Sequence, residues 1–131
     1  MTFTPTQLAA LLDEADHHPW ESVQAALARV AGQPHPRIGW LTTHLAATKR
    51  EYGTLIAAAT ATPAPPQDAG LSRLMAWEVD AARRLTPAQL EATLTHAGQS
   101  MTVAELLRLN ARHSAWHAGQ IAALAGRVRI A

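Results

Sequence analysis

The 131-residue chain has no cysteine, a single phenylalanine, a single tyrosine and almost no net charge, and each shortage narrows what it can be. Without thiols there is neither a disulfide framework nor a thiolate metal site, and the chain brings no nucleophilic sulfur of its own. Soft-metal chemistry therefore has to run through histidine. Lys and Arg (11) against Asp and Glu (10) leave a formal charge of +1, too weak a field to draw in nucleic acid or an anionic membrane. No window approaches the roughly 20 apolar residues of a membrane span. The first five residues lack the basic-then-apolar order of a targeting peptide, so a cytoplasmic protein is expected. With so few Phe and Tyr, the core must come from Leu, Ala, Val, Ile and four Trp, a mixture that favours helices over strands.

What is present is 48% hydrophobic residue in a length suited to one domain, expected to cover residues 1–131. Thr4-Pro5 followed by Leu8, Leu11 and Leu12 predicts a capped amphipathic helix with Asp13, Glu14 and Asp16 toward water, stopping near His18-Pro19. A second short helix runs from Trp20 through Val23, Leu27 and Val30 to a stop at Gly32-Gln33-Pro34, so the first arm is broken in two. Ile38 to about Thr60 contains no proline and repeats Leu41, His44, Leu45, Thr48, Tyr52, Leu55 and Ile56 at helical steps. Thr60 to Gly70, with Pro63, Pro65 and Pro66, reads as a solvated connection.

A third helix spans Leu71 to Leu85, and Thr86-Pro87 caps a short extra turn of helix through Leu94. His96 to Ser100 reads as a polar loop. Thr102-Val103-Ala104-Glu105 has capping-box spacing and opens a last helix that Gly126 is expected to end after Ala125. The expected fold is all-α: an antiparallel four-helix bundle with a broken first helix and a short extra helix before the last.

Histidine carries the chemistry. His113 and His117 stand four residues apart with no helix breaker between them, so both imidazoles lie on one face, on a stripe with Leu106, Asn110 and Leu124. That spacing alone favours two hydrogen-bonded core histidines over a metal site. His44 adds a third imidazole on an inner face of another helix. Three such rings are costly to bury unless a shared cation satisfies one nitrogen of each. Three protein ligands leave a position open for water or substrate. All-imidazole ligation suits Zn, Ni, Fe or Cu and does not by itself choose among them; Zn or Ni is the expectation. His17, His18, His35 and His96 are expected to face solvent, with His17-His18 at most an adventitious metal binder.

His113-Ser-Ala-Trp-His117-Ala-Gly-Gln120-Ile121 resembles the closing H-x3-H-x-G-Q-I signature of the DinB/YfiT-like superfamily. Thr102-Val-Ala-Glu-Leu-Leu107, the segment Ile38-Gly-Trp-Leu-Thr-Thr-His44-Leu-Ala and Trp20-Glu-Ser-Val-Gln-Ala-Ala-Leu27 are similar to further segments of that family. The resemblance implies a four-helix bundle whose three-histidine metal site opens toward one end, and often a homodimer. It also implies transferases or isomerases that use small thiols such as mycothiol or bacillithiol, with an electrophilic second substrate. A bound cation acidifies such a thiol, so a cysteine-free chain suffices. The chain is shorter than many relatives and its proline-rich connection is lean, so substrate contacts that longer loops supply elsewhere do not carry over.

On this reading His44, His113 and His117 are metal ligands, and Gln120 and Asn110 are candidates to orient the ligand imidazoles. Glu105 belongs to the helix cap, able to close back on the Thr102 backbone. Glu78 and Asp80 face either the site or water. Arg127 and Arg129 complement the last helix's C-terminus. Trp40, Trp77 and Trp116 are expected in the core or a dimer interface. The competing classes are a non-catalytic metal-binding or stress-related module, and a metal-free interaction protein whose histidines do not converge.

Overall fold

A computed structural model describes residues 2–30, 32 and 35–130, the last five of them as backbone only. The elements in chain order are α1 (Pro5–His17), α2 (Val23–Val30), α3 (Pro36–Thr60), α4 (Leu71–Arg83), α5 (Pro87–Leu90), β1 (Thr93–His96), β2 (Gln99–Thr102) and α6 (Val103–Ile130). The four long helices form a square in which α1 and α3 each pack on both α4 and α6, while α2 lies against α6 and α1. The all-α bundle with a broken first arm is thus the observed fold.

The starts of the helices follow local chemistry. Thr4 caps α1 by accepting from Gln7 N at 3.1 Å, and the Gln7 amide oxygen accepts from Thr4 N at 3.0 Å. Thr86 and Gln89 repeat this device at α5. α2 begins at Val23 rather than Trp20, because Ser22 Oγ accepts from Ala25 N at 3.0 Å and takes the capping place. Gly32 has φ +74°, the left-handed turn expected past a helix end, while Gln33 and Pro34 lie outside the described residues.

Six further expectations need correction. α5 stops at Leu90, and Leu94 belongs to β1. The polar loop around His96 is the tip of a hairpin, in which Thr93 pairs with Thr102 and His96 with Gln99. Ala97 (φ 52°) and Gly98 (φ 78°) are both left-handed, as a two-residue hairpin turn requires. α6 passes through Gly126 to Ile130. A glycine costs a helix about 1 kcal/mol and ends one only where the chain turns left-handed. Pro65 and Ala69 of the connection are buried, with Arg50 Nη2 donating to Ala69 O at 2.8 Å. At the start of α6 the Glu105 carboxylate accepts from the Thr102 hydroxyl at 3.3 Å instead of from its backbone. Finally, Asp16 does not face water; it is 0% exposed.

Asp16 marks the main surprise of the interior. The apolar core is split in two. One cluster joins Leu8, Leu12, Tyr52, Ile56, Val79, Leu106 and Leu107. The other joins Val23, Ile38, Leu41, Leu45, Leu71, Met75 and Ile121. Along each helix the residues between the clusters are polar and buried: Asp16 on α1, Lys49 on α3, Glu78 on α4, Asn110 and Ser114 on α6. Lys49 Nζ donates to Glu78 Oε2 at 2.5 Å, Ser114 Oγ at 2.7 Å and Asn110 Oδ1 at 3.0 Å. Asn110 Nδ2 donates to Glu78 Oε1 at 2.8 Å. One ammonium thereby ties α3 to α4 and α6 across the middle of the bundle.

Candidate metal centre

The same middle layer of α3 and α6 carries the histidines. His44 lies five residues before Lys49 on α3, and His113 immediately precedes Ser114 on α6. All three rings are half-buried, and one ligand atom from each of His44, His113 and His117 lies within 4.8 Å of the others. His113 Nε2 stands 3.0 Å from His117 Nε2 and 3.3 Å from His44 Nε2. The His113 and His117 rings are nearly perpendicular (86°), as are those of His44 and His117 (84°), so the nitrogens meet edge on rather than by stacking.

These separations can be set against a metal's demands. A tetrahedral ion with metal–nitrogen bonds of about 2.0–2.1 Å holds its ligand nitrogens roughly 3.3 Å apart. The two Nε2 contacts fall at or just under that edge, so the donor set fits one divalent ion. Tautomers agree with it. His117 Nδ1 is 2.6 Å from Gln120 Oε1, and an amide oxygen can only accept, so Nδ1 carries the proton and Nε2 turns a lone pair toward the cluster. His113 is lowered to about 4, first by burial and then by the neighbouring His117, His44 and Lys49. His44 is lowered too, by burial, then His117, then Arg37. Both rings are therefore neutral near pH 7, the form that binds metal. His113 Nδ1 is buried and has no partner among the described residues.

Around the cluster, Trp40 stacks on His44, with centroids 5.0 Å apart and planes 7° from parallel, and the Arg37 guanidinium lies 4.6 Å over Trp40. Trp40 and Trp116 are 52% and 71% exposed, so of the two expected places, core or dimer interface, neither takes the core, and Trp77 is half-buried. Asn110 is committed to Lys49 and Glu78 rather than to an imidazole. Asp80 faces solvent and pairs with Arg84 at 2.5 Å, whereas Glu78 is buried in the Lys49 network. The side chains of Arg127 and Arg129 lie outside the described ones.

The other histidines all have local work instead of facing open solvent. His17 Nδ1 pairs with Asp13 at 2.7 Å, and His18 Nδ1 accepts from Trp20 N and Glu21 N, both at 3.2 Å. His35 caps α3 by accepting from Arg37 N at 3.1 Å. His96 sits edge-on to Tyr52 at 5.2 Å.

Lys49 and Ser114 escaped the sequence reading, although a signal was there. Leu41, Leu45, Lys49, Tyr52 and Ile56 continue a single inward stripe, as do Leu8, Leu12 and Asp16 on α1 and Leu71, Leu74, Glu78 and Ala82 on α4. One positive and two negative side chains at inward positions of three helices are a buried ion network in waiting.

A family model described as the DinB superfamily matches residues 4–121. No curated protein and no solved structure matches the chain.

Proposed function

Because the chain belongs to the DinB superfamily, we propose that His44, His113 and His117 ligate one divalent transition metal, Zn or Ni, in a transferase that works with a small thiol. The observation that carries this reading is the convergence of three imidazoles, with His113 Nε2 at or just under a tetrahedral ion's ligand separation from both His44 Nε2 and His117 Nε2. When bound, the cation supplies Lewis acidity, which makes a coordinated thiol a thiolate at neutral pH. The rest falls to the chain's own groups. Gln120 holds His117 in the tautomer that leaves Nε2 free. Burial keeps His113 unprotonated, so protons do not compete for the site near neutrality. Trp40 packs flat on His44 and restrains its ring, with the Arg37 guanidinium over the indole.

Elemental analysis and calorimetry on the full chain, prepared without a histidine tag, test the proposal. One metal per chain is expected, lost on His117→Ala, together with turnover of small thiols and electrophilic acceptors that chelation abolishes. Absence of any bound divalent metal, with thermal stability and thiol transfer unchanged in the triple alanine variant of His44, His113 and His117, overturns it. Stoichiometric metal without transfer by any thiol leaves the non-catalytic binding module as the answer.

A further inference from the structure

The buried network around Lys49 does not balance. Its charged members are one ammonium, Lys49, and two carboxyls, Asp16 and Glu78, at 1%, 0% and 5% exposure. With both carboxyls ionised, the layer would hold an uncompensated negative charge away from water, which proteins avoid by neutralising a group. The hydrogen bonds do not balance either. An ammonium has three N–H donors. Lys49 directs them to Glu78, Ser114 and Asn110. Asp16 Oδ1 lies 3.0 Å from Lys49 Nζ, yet neither Asp16 oxygen accepts a hydrogen bond from any described residue. A buried carboxylate without one donor is among the costliest groups a fold can hold.

A single extra proton repairs both faults, and we infer that Asp16 and Glu78 bind one proton between them at neutral pH, forming a buried proton site inside the bundle. Shared across the pair, the proton gives Asp16 its missing hydrogen bond and makes the trio with Lys49 electrically neutral. Glu78 behaves accordingly: burial first, then hydrogen bonding to and repulsion by Asp16, drive its carboxyl well above the ordinary range against the pull of Lys49. The groups facing the pair are Lys49 from α3 and Asn110 and Ser114 from α6, and only Lys49 carries charge. The site stands on side chains that the metal reading does not use.

A proton held more tightly in the folded chain than in the unfolded one stabilises the fold fully below the ordinary Glu value of 4.5, and that stabilisation is lost as pH rises through the raised folded value. Asp16→Asn is the matching substitution. Beyond its ion pair with Lys49 at 3.0 Å, Asp16 has no donor among the described residues, so the amide can keep its oxygen beside the ammonium while its nitrogen donates permanently where the proton sat.

Two measurements on the full chain decide the matter. Infrared spectra at pH 7, where exposed carboxyls are ionised, should show a protonated-carboxyl carbonyl band that moves when Glu or Asp is isotope-labelled and vanishes in Asp16→Asn. Urea unfolding above about pH 7.5, where the unfolded His113 and His44 are almost wholly deprotonated and no longer contribute, should give a midpoint that falls with pH in the parent chain and stays level in Asp16→Asn. No band at pH 7, or a variant whose midpoint follows the parent's, overturns the inference. Should Asp16→Asn fail to fold, the labelled band in the parent chain alone decides it.

Discussion

Two polar clusters interrupt the core of this bundle, and they solve opposite problems. The histidine cluster is half-buried and brings three imidazole nitrogens to one point, with His44 and His113 held neutral. The Lys49 cluster is sealed and carries its own cation, with an ion pair to α1 and hydrogen-bond acceptors from α4 and α6 gathered around it. The difference separates a site from a strut. Lone pairs that converge at a half-open position are arranged for something that arrives, whereas an ammonium enclosed by carboxyls and hydroxyls already has what it needs. They are also neighbours: Ser114, which accepts from Lys49, follows His113 in sequence, and Lys49 helps to keep His113 neutral.

The contrast is sharpest on removal of the strut. Lys49→Met leaves two carboxyls in the interior without their counter-charge, and breaking a buried pair in this way costs about 3–5 kcal/mol. Urea unfolding at pH 7 should register that loss. His117→Ala, at a half-buried position, should cost the metal-free fold only about 1 kcal/mol, the common size for a point substitution. Comparable losses in the two variants would erase the distinction between strut and site.

A smaller effect probes the histidine side alone. Gln120→Ala removes the oxygen that fixes the His117 tautomer, and loss of such a partner typically weakens metal binding by about 10–100-fold. Calorimetric titration with Zn or Ni should show that weakening with the urea midpoint unchanged. An equal drop in fold stability would mean that Gln120 serves packing rather than the imidazole.

How much of this could be read beforehand follows from the kind of signal involved. The long helices announce themselves through apolar spacing and through Thr4-Pro5 and Thr86-Pro87, because caps and periodicity are local. The three histidines were legible for the same reason, with His113 and His117 one turn apart and His44 on an apolar stripe. The hairpin was not: Thr93 to Thr102 holds only one large buried hydrophobe, Leu94, and its turn rests on a left-handed alanine beside Gly98. Asp16 was assigned to water because a lone acid on a helix usually belongs there. Its burial depends on Lys49 and Glu78, more than 30 and 60 residues away in the chain. Such partnerships are tertiary facts, visible in sequence only when charges on several inward stripes are considered together.

The last and subtlest contrast is in the sign of the pH dependence. His113 is lowered from 6.5 to about 4 in the folded protein. Between those values the unfolded chain binds a proton that the folded chain refuses, so stability present above pH 6.5 is lost as pH falls toward about 4. The carboxyl pair runs the other way, since its proton is held more tightly in the fold and rising pH is what costs stability. In the acid range the two slopes oppose each other, and a bare midpoint-against-pH curve would partly hide both. His113→Gln cannot take up a proton, so subtracting its curve from that of the metal-free parent isolates the histidine contribution. The parent should lose stability relative to the variant as pH falls from 6.5 to about 4, with no further relative loss below. A difference that stays constant across that window would show that burial does not hold His113 neutral, and the metal would then have to displace a proton to bind.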